Sequence, residues 1–193
     1  MVDENTEETR NAIWLTSRCR MNAEKRFRKY DKVSHLLLSW LSLSVIAWAV
    51  VRGSITSTAH LDIYTAILSV FVFAFSVVIF GFRFGEAAAQ HRECYLRLQK
   101  LHDGKFNDDE LTRQYHEILG GYGNHSDWDY ESLILDRTLY SSRKVWGRDG
   151  QEISWTGPML VKHFLLSCIF WLCTIAIFVL GLGTYYLIAT QIP

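Results

Sequence analysis

Three long apolar runs dominate the pattern of hydrophobic and polar positions along the chain. They cover residues 33–51, 63–82 and 164–190, and none of them contains a formally charged side chain. A bilayer core about 30 Å thick requires about 20 apolar residues in a helix that rises about 1.5 Å per residue. Helices inside small globular proteins rarely stay uncharged over this length. The pattern therefore predicts an all-α integral membrane protein with three transmembrane helices.

The polar sequence between the runs completes the predicted organisation. Residues 1–32 are expected to form a cytoplasmic basic N-terminal helix, and residues 33–82 a transmembrane helical hairpin. Residues 83–162 are expected to form a cytoplasmic helical region. Residues 163–193 would then supply a third C-terminal transmembrane helix and an outside C-terminus.

Helical periodicity extends beyond the apolar runs. From about Arg10 to Lys32, small and aromatic side chains recur every three or four residues, and basic side chains occupy the other side. This helix either anchors the first span or lies on anionic lipid. After the second span the same period continues to Leu101. The second span is therefore expected to continue out of the membrane as one long helix.

The charges are strongly partitioned although the formal net charge is zero. Of the 20 Lys and Arg residues, eight lie in residues 1–32, eleven in residues 83–162, and one, Arg52, between the first two runs. Positive charge stays on the cytoplasmic side during insertion, so this distribution predicts a cytoplasmic N-terminus and an outside C-terminus. The neutral total gives no support for direct nucleic-acid binding, which requires a basic surface.

Metal and cofactor chemistry has little support in the sequence. The four cysteines, Cys19, Cys94, Cys168 and Cys173, lack the paired spacing of a zinc site or a disulfide framework. The nucleophile motif GxSxG, the zinc motif HExxH and glycine-rich phosphate-binding loops are missing. We therefore predict no enzyme activity, no cofactor and no metal.

The segment GNHSDWDY, residues 123–130, concentrates an imidazole and two carboxylates. Ser126 is expected to cap a helix whose first turn holds Asp127, Asp129 and Glu131, because such side chains complement free backbone N–H groups. A catalytic or metal site would need further converging ligands, and no second cluster is spaced to supply them. We favour a structural helix start. The alternative is a partner contact that involves His125, Asp127, Asp129 and Tyr130.

Polar side chains also form stripes along the first two spans. On the second span they fall within a narrow sector when each residue is turned by about 100°. In lipid such a face must turn toward protein or water, so it predicts either helix packing or the lining of a pore in an activated oligomer. The residues are Asp62, Thr65, Ser69, Ser76 and Arg83 on the second span, and His35, Ser39 and Ser42 on the first.

Three segments taken together resemble the SLATT domain family. They are RMNAEKRFRKYDKVSHLL, FGFRFGEAAAQHRECYLRLQKL and YHEILGGYGNHSDWDY, and they occur along the chain in the same order as in that family. SLATT domains are small helical membrane proteins named for their association with SMODS nucleotide synthases and SLOG sensors. The resemblance covers roughly residues 10–135. The family has two spans, and the third apolar run departs from that pattern.

The resemblance implies a membrane effector of a prokaryotic anti-phage or conflict system at the bacterial inner (cell) membrane. A separately encoded sensor, nucleotide synthase or reverse-transcriptase module would release the effector, which would permeabilise the membrane and cause abortive infection. Three spans are too few to enclose a water-filled path, so the partners of a pore-forming chain would be membrane lipid and further copies of itself. The alternative is a non-conducting membrane anchor or scaffold that recruits a cytoplasmic partner.

Overall fold

A computed structural model describes residues 4–52, 59–147 and 151–190 of the chain. Most of the predicted outer loop between the first two spans lies outside these residues. The predicted external end at Pro193 also lies outside them.

Helices account for nearly all of the described chain, so the predicted all-α class is confirmed. In chain order they are α1 (Glu4–Arg52), α2 (Ala59–Phe82), α3 (Phe84–Asp103), α4 (Asp108–Gly120), α5 (Asp127–Ile134) and α6 (Gly157–Ala189). A π-helix over Leu135–Tyr140 follows α5 directly. Two short antiparallel strands, β1 (Val145–Trp146) and β2 (Glu152–Ile153), precede α6 and were not predicted.

Three of these helices contain segments that are long and apolar enough to cross a membrane. The predicted N-terminal helix and first span are a single helix, α1, of 49 residues. The third apolar run lies in α6, which has 33 residues. At about 1.5 Å per residue α6 is about 50 Å long, so it exceeds the hydrocarbon thickness of a bilayer.

The second span does not continue as one unbroken helix, and that prediction was wrong. Between the end of α2 and the start of α3, Arg83 has a φ angle of 48°. This left-handed conformation costs a non-glycine residue about 1–2 kcal/mol, and it changes the course of the backbone. Because a single residue leaves the helical conformation, the spacing of apolar side chains on either side is almost undisturbed. The sequence pattern therefore could not reveal the break.

The chain divides into two compact units. The first, which we call the polar unit, combines residues 1–28 with residues 85–166. The second, which we call the span unit, combines residues 29–84 with residues 167–193. Both α1 and α6 therefore contribute residues to each unit.

In the polar unit, α1, α3 and α4 share an apolar core. Ile13 of α1, Leu98 of α3 and Leu111 of α4 are buried in one cluster, and partly buried aromatic side chains such as Tyr115 pack against it. The hydroxyls of Thr16 and Tyr115 lie 2.9 Å apart and join α1 to α4 by a hydrogen bond. This core fixes the N-terminal part of α1 against the helices that follow the second span.

In the span unit, α6 packs closely on α1 and α2. Trp40 of α1 stacks on Phe178 with ring centroids 4.8 Å apart, and its Nε1 donates to the Phe178 carbonyl at 3.1 Å. The hydroxyl of Tyr64 on α2 donates to the Leu180 carbonyl at 3.0 Å. A Cβ atom on Gly181 would clash with Nε1 of Trp40 and lie 3.1 Å from the hydroxyl of Ser44. Gly181 therefore permits this close approach, as small residues do between membrane helices.

Replacing Gly181 with leucine is expected to push Trp40 away and to destabilise the span unit by about 1–3 kcal/mol, as overpacking does. Thermal unfolding of the detergent-solubilised protein, followed by circular dichroism, measures the effect. The matched control is Gly81→Leu on α2, because the position of a Cβ on Gly81 has open space around it. Equal melting temperatures for the two variants would contradict a role for the α1–α6 approach.

Candidate functional site

The segment at residues 123–130 begins α5, and its predicted role as a helix start is confirmed. Ser126 is the N-cap residue, and both Asp127 and Asp129 lie in the first turn. One carboxylate oxygen of Asp129 accepts hydrogen bonds from the Ser126 backbone N–H at 3.1 Å and from its hydroxyl at 2.8 Å. Leu133 and Ile134 are buried, as the sequence predicted.

Asp129 does more than start the helix. Its side chain is 1% exposed and forms a bidentate ion pair with Arg26 of α1, with both N···O distances at 2.9 Å. Fork-shaped guanidinium pairs of this kind are among the strongest charge-assisted hydrogen bonds. The sequence interpretation treated Asp127 and Asp129 as equivalent, and for Asp129 this was wrong. Asp129 ties α5 to α1, whereas Asp127 is exposed.

A second arginine of α1 holds the loop that leads into α5. Arg20 is 1% exposed, and its Nη1 donates to the Gly123 carbonyl at 2.5 Å. The side-chain amide of Asn22 donates to the Asp129 carbonyl at 3.4 Å. Nε of Arg20 is buried and has no hydrogen-bond partner among the described residues. Burying a guanidinium is costly unless it is paired, so these contacts fix the loop against α1.

Two histidines lie beside these arginines. His91 of α3 stacks on Phe27 of α1 with ring centroids 5.5 Å apart, and His125 lies in the loop before α5. Nδ1 of each ring is buried without a hydrogen-bond partner in the part of the chain that the structure describes. Burial, and then the positive charge of Arg20, lower the pKa of His125 from its ordinary value of 6.5. We call Arg20, Arg26, His91, His125 and Asp129 the buried polar cluster.

On its other side, α5 contacts the beginning of α6. The Trp128 and His163 rings stack with centroids 3.6 Å apart and an interplanar angle of 13°. The Lys162 ammonium donates to a carboxylate oxygen of Glu131 at 2.9 Å. All four residues belong to the polar unit. We call this pair of interactions the α5–α6 contact.

Sequence reasoning missed Arg20, Arg26 and the α5–α6 contact. The two arginines lie among other basic residues of α1, so composition alone does not separate them from the exposed Arg28. A usable signal was their position on the helix. Arg20 directly follows the buried Cys19, and Arg26 lies about one turn after the buried Ala23. The stacking of Trp128 on His163 joins residues far apart in sequence and had no local signal.

The four residues considered for partner contact differ in accessibility. Asp127 is exposed, whereas His125 and Tyr130 are half-buried. Asp129 faces Arg26 and is buried, so it is not available for a direct partner contact in this conformation. Only Asp127 therefore presents a fully accessible charge on this segment.

The polar stripe of α2 is not a row of unsatisfied groups. The Ser69 hydroxyl donates to the Thr65 carbonyl at 2.8 Å, and the Ser76 hydroxyl donates to the Phe73 carbonyl at 2.7 Å. Asp62 and Thr65 are half-buried, and Arg83 is exposed at the helix break. The hydroxyls of Ser69 and Ser76 therefore bond to the backbone of their own helix.

The shorter stripe on α1 lies away from the packed face of that helix. His35 and Ser39 are exposed and Ser42 is half-buried, and Nε2 of His35 lies 3.6 Å from an Asp31 carboxylate oxygen. The buried face of α1 in the span unit instead consists of Leu37, Leu41, Ser44 and Trp48. Ser44, beside Gly181, was not part of the predicted stripe.

Elsewhere, the structure offers few starting points for ligand chemistry. Within the described ranges, no group of three or more His, Cys, Asp or Glu side chains could hold a metal ion. A cleft of about 230 Å³ in the polar unit is lined by Trp14, Ser17, Arg18, Gln99, His102 and Asp103. Its Ser17 hydroxyl is buried and makes no hydrogen bond to any described residue, so neither His102 nor Asp103 of the cleft is bonded to it.

A family model matches residues 2–185 of the chain, and its description is SMODS and SLOG-associating 2TM effector domain family 5. The matched region is longer than the segments that carry the sequence resemblance, and it includes the buried polar cluster and most of α6. No curated protein and no solved structure matches the chain.

Replacing Asp129 with asparagine is expected to destabilise the protein by about 3 kcal/mol, because it leaves the partly buried charge of Arg26 without its partner. The matched control, Asp127→Asn, removes an exposed helix-start charge and should cost about 0.5 kcal/mol. Chemical unfolding in detergent, followed by circular dichroism, compares the two. A similar cost at both positions would mean that the Arg26–Asp129 pair does not stabilise the fold.

The stability of the polar unit is expected to fall as the pH drops below 6.5. Below pH 6.5, His125 becomes protonated in the unfolded chain. In the folded chain, burial and the positive charge of Arg20 lower the pKa of His125, so it stays neutral to a lower pH. The unfolded state then binds more protons, and each such proton costs up to about 1.4 kcal/mol per pH unit. Between about pH 7.5 and pH 5.5, the melting temperature of the His125→Gln variant should therefore fall less than that of the wild type. Parallel pH dependence in both proteins would contradict the role of His125.

Proposed function

Because the chain belongs to the SMODS and SLOG-associating 2TM effector domain family, or SLATT family, we propose that it permeabilises the bacterial inner membrane when a partner releases it. Membership makes it a membrane effector of conflict systems, in a family not known for enzymes. The observation that carries the proposal is the family match over residues 2–185 of a chain with three potential membrane-spanning helices.

The division of the chain into two units supports two separate roles, one in binding the partner and one in permeabilising the membrane. The polar unit holds the charged and capped helices, and it is the part that a cytoplasmic sensor, nucleotide synthase or reverse-transcriptase module would bind. The span unit holds the apolar helices that would breach the membrane. The distribution of Lys and Arg favours a cytoplasmic N-terminus and an outside C-terminus.

The α5–α6 contact is the proposed switch. Release of Glu131 from Lys162, and of Trp128 from His163, would free the start of α6 from α5. Because α6 is one helix from Gly157 to Ala189, a partner-induced movement at Lys162 would also involve its apolar run. A partner that binds the α5 segment would therefore act on the third apolar helix.

The conducting form is proposed to be a homo-oligomer. Three helices are too few to surround a water-filled path, so several copies must contribute. In that assembly the stripe of Thr65, Ser69 and Ser76 would line the path, since a polar face is costly in lipid. Asp62 and Arg83 would then lie at the two ends of this stripe.

One observation favours the alternative, a non-conducting anchor or scaffold that recruits a cytoplasmic partner. Ser69 and Ser76 both satisfy their hydroxyls with carbonyls of α2, so this face does not need water. A serine bonded in this way is compatible with lipid or with a neighbouring helix. Conduction must therefore be measured directly.

Induced expression should depolarise bacterial cells, as reported by a membrane-potential dye. Glu131→Lys should do so at a lower expression level, because losing an ion pair worth about 1 kcal/mol shifts a two-state equilibrium roughly fivefold. Glu117→Lys makes the same charge change at an exposed position of α4 and should behave as wild type. The double variant Glu131→Lys with Lys162→Glu should restore wild-type behaviour. Unchanged polarisation with correctly inserted protein would favour the scaffold.

A further inference from the structure

The cleft of the polar unit is formed by one face of α1 and one face of α3. Each helix contributes three residues at steps of three and four, a spacing that places side chains on the same side of a helix. They are Trp14, Ser17 and Arg18 from α1, and Gln99, His102 and Asp103 from α3. We call this site the α1–α3 cleft. Its volume of about 230 Å³ is smaller than that of a pocket for a drug-sized molecule, so it suits a small ligand.

Two hydrogen-bond donors, one from each helix of the cleft, converge on the same weak acceptor. Nη1 of Arg18 donates to Sδ of Met21 at 3.5 Å, and Nε2 of Gln99 donates to the same sulfur at 3.6 Å. A thioether sulfur is a poor acceptor, so both donors retain much of their capacity for a better one. Arg18 forms no ion pair with a carboxylate in the part of the chain that the structure describes.

Ser17 supplies a third donor to the cleft. The residue is 3% exposed, and its hydroxyl makes no hydrogen bond to any described residue. Serine hydroxyls in helices commonly bond to a carbonyl one turn earlier, as Ser44 does with the Trp40 carbonyl at 2.9 Å. Because a buried hydroxyl without a partner is costly, the free hydroxyl of Ser17 indicates that an acceptor from outside the chain completes the site.

The cleft has few acceptors to match these donors. Asp103 is the only carboxylate among the six lining residues. Its Oδ1 lies 3.1 Å from Nδ1 of His102, and its side chain is 81% exposed, so its charge is largely screened by water. The remaining polar groups of the cleft therefore favour a ligand that accepts hydrogen bonds.

A second guanidinium group adds positive charge beside the cleft. Arg137 of the π-helix lies 5.7 Å from the centroid of the Trp14 ring, and Arg18 lies 5.6 Å from the same centroid. Within the described ranges Arg137 has no carboxylate partner either. π-Helical turns are rare and occur frequently at functional sites. Two guanidinium groups without carboxylate partners next to one indole ring favour a negatively charged ligand.

We propose that the α1–α3 cleft binds a small organic anion through its carboxylate or phosphate oxygen atoms. These oxygen atoms replace the Met21 sulfur as acceptor for Arg18 and Gln99, and they accept a hydrogen bond from the Ser17 hydroxyl. The planar guanidinium of Arg18 is suited to two oxygen atoms at once. The ligand thus bridges α1 and α3 and stabilises the polar unit in this conformation. Binding does not require permeabilisation of the membrane, so this inference does not rest on the proposed function.

The test is isothermal titration calorimetry of the full chain in detergent, with inorganic phosphate and malonate as separate probes. Chloride at equal ionic strength is the control anion, because it carries charge but no oxygen atoms. Saturable binding of either probe is expected. Binding of phosphate alone would identify a phosphate-bearing ligand, and binding of malonate alone a carboxylate. No binding of either probe, or equally tight binding of chloride, would overturn the proposal.

A pair of arginine variants separates the cleft from the overall charge of the polar unit. Arg18→Gln should weaken binding of the probe at least about tenfold, because it removes the charged donor. Arg92→Gln makes the same change at an exposed position of α3 that does not line the cleft, and it should leave the Kd unchanged. Equal weakening by the two variants would show that the probe responds to net charge, and the cleft would then not be the site.

Ser17→Ala distinguishes a ligand donor from a residue that only supports the fold. Without a probe, this variant should melt at the wild-type temperature or above it, since it removes a buried hydroxyl that makes no hydrogen bond to the described chain. It should nevertheless bind the probe about fivefold to tenfold more weakly, because a hydrogen bond to a charged ligand is lost. Wild-type affinity in Ser17→Ala would contradict the proposed site.

Discussion

The bidentate ion pair between Arg26 and Asp129 is the interaction on which the polar unit depends. A carboxylate that is 1% exposed is stable only when its oxygen atoms are hydrogen-bonded, and here Arg26 and Ser126 together supply the donors. The same carboxylate therefore starts α5 and attaches α5 to α1. Because those two roles share one side chain, the N-terminal cap of α5 and the attachment of α5 to α1 are coupled. The position of α5 in turn sets where Trp128 and Glu131 meet α6.

α6 satisfies different requirements along its length. Near Lys162 it carries an ion pair and a stacked histidine, and near Gly181 it must come close to Trp40. A helix about 50 Å long cannot lie entirely in a hydrocarbon core of about 30 Å. The family is described by two membrane spans, yet the match extends to residue 185 and includes most of this third apolar helix. Most of the third helix therefore lies within the range that the family model matches.

The long helices were predictable because the bilayer imposes a minimum apolar length, and a long uncharged run is visible directly in the sequence. The start of α5 was predictable because capping depends on neighbours in sequence, here Ser126 and Asp129. The break at Arg83 was not, since one residue outside the helical region leaves the side-chain period almost intact. The pairing of Arg26 with Asp129 depends on tertiary packing across about a hundred residues. The two-residue strands are too short to show an alternating pattern.

The two attachments of α5 differ in strength, and that difference determines which movement is easiest. The Arg26–Asp129 pair is bidentate and largely buried, so breaking it would leave an uncompensated charge at a cost of several kcal/mol. The Lys162–Glu131 pair is monodentate, with a lysine that is 47% exposed and a carboxylate that is 15% exposed, so its loss costs less than loss of the bidentate pair. Separation of α6 from α5 would therefore require less free energy than separation of α5 from α1. The start of α6 is therefore the more weakly held neighbour of α5, and the Arg26–Asp129 pair holds α5 against α1.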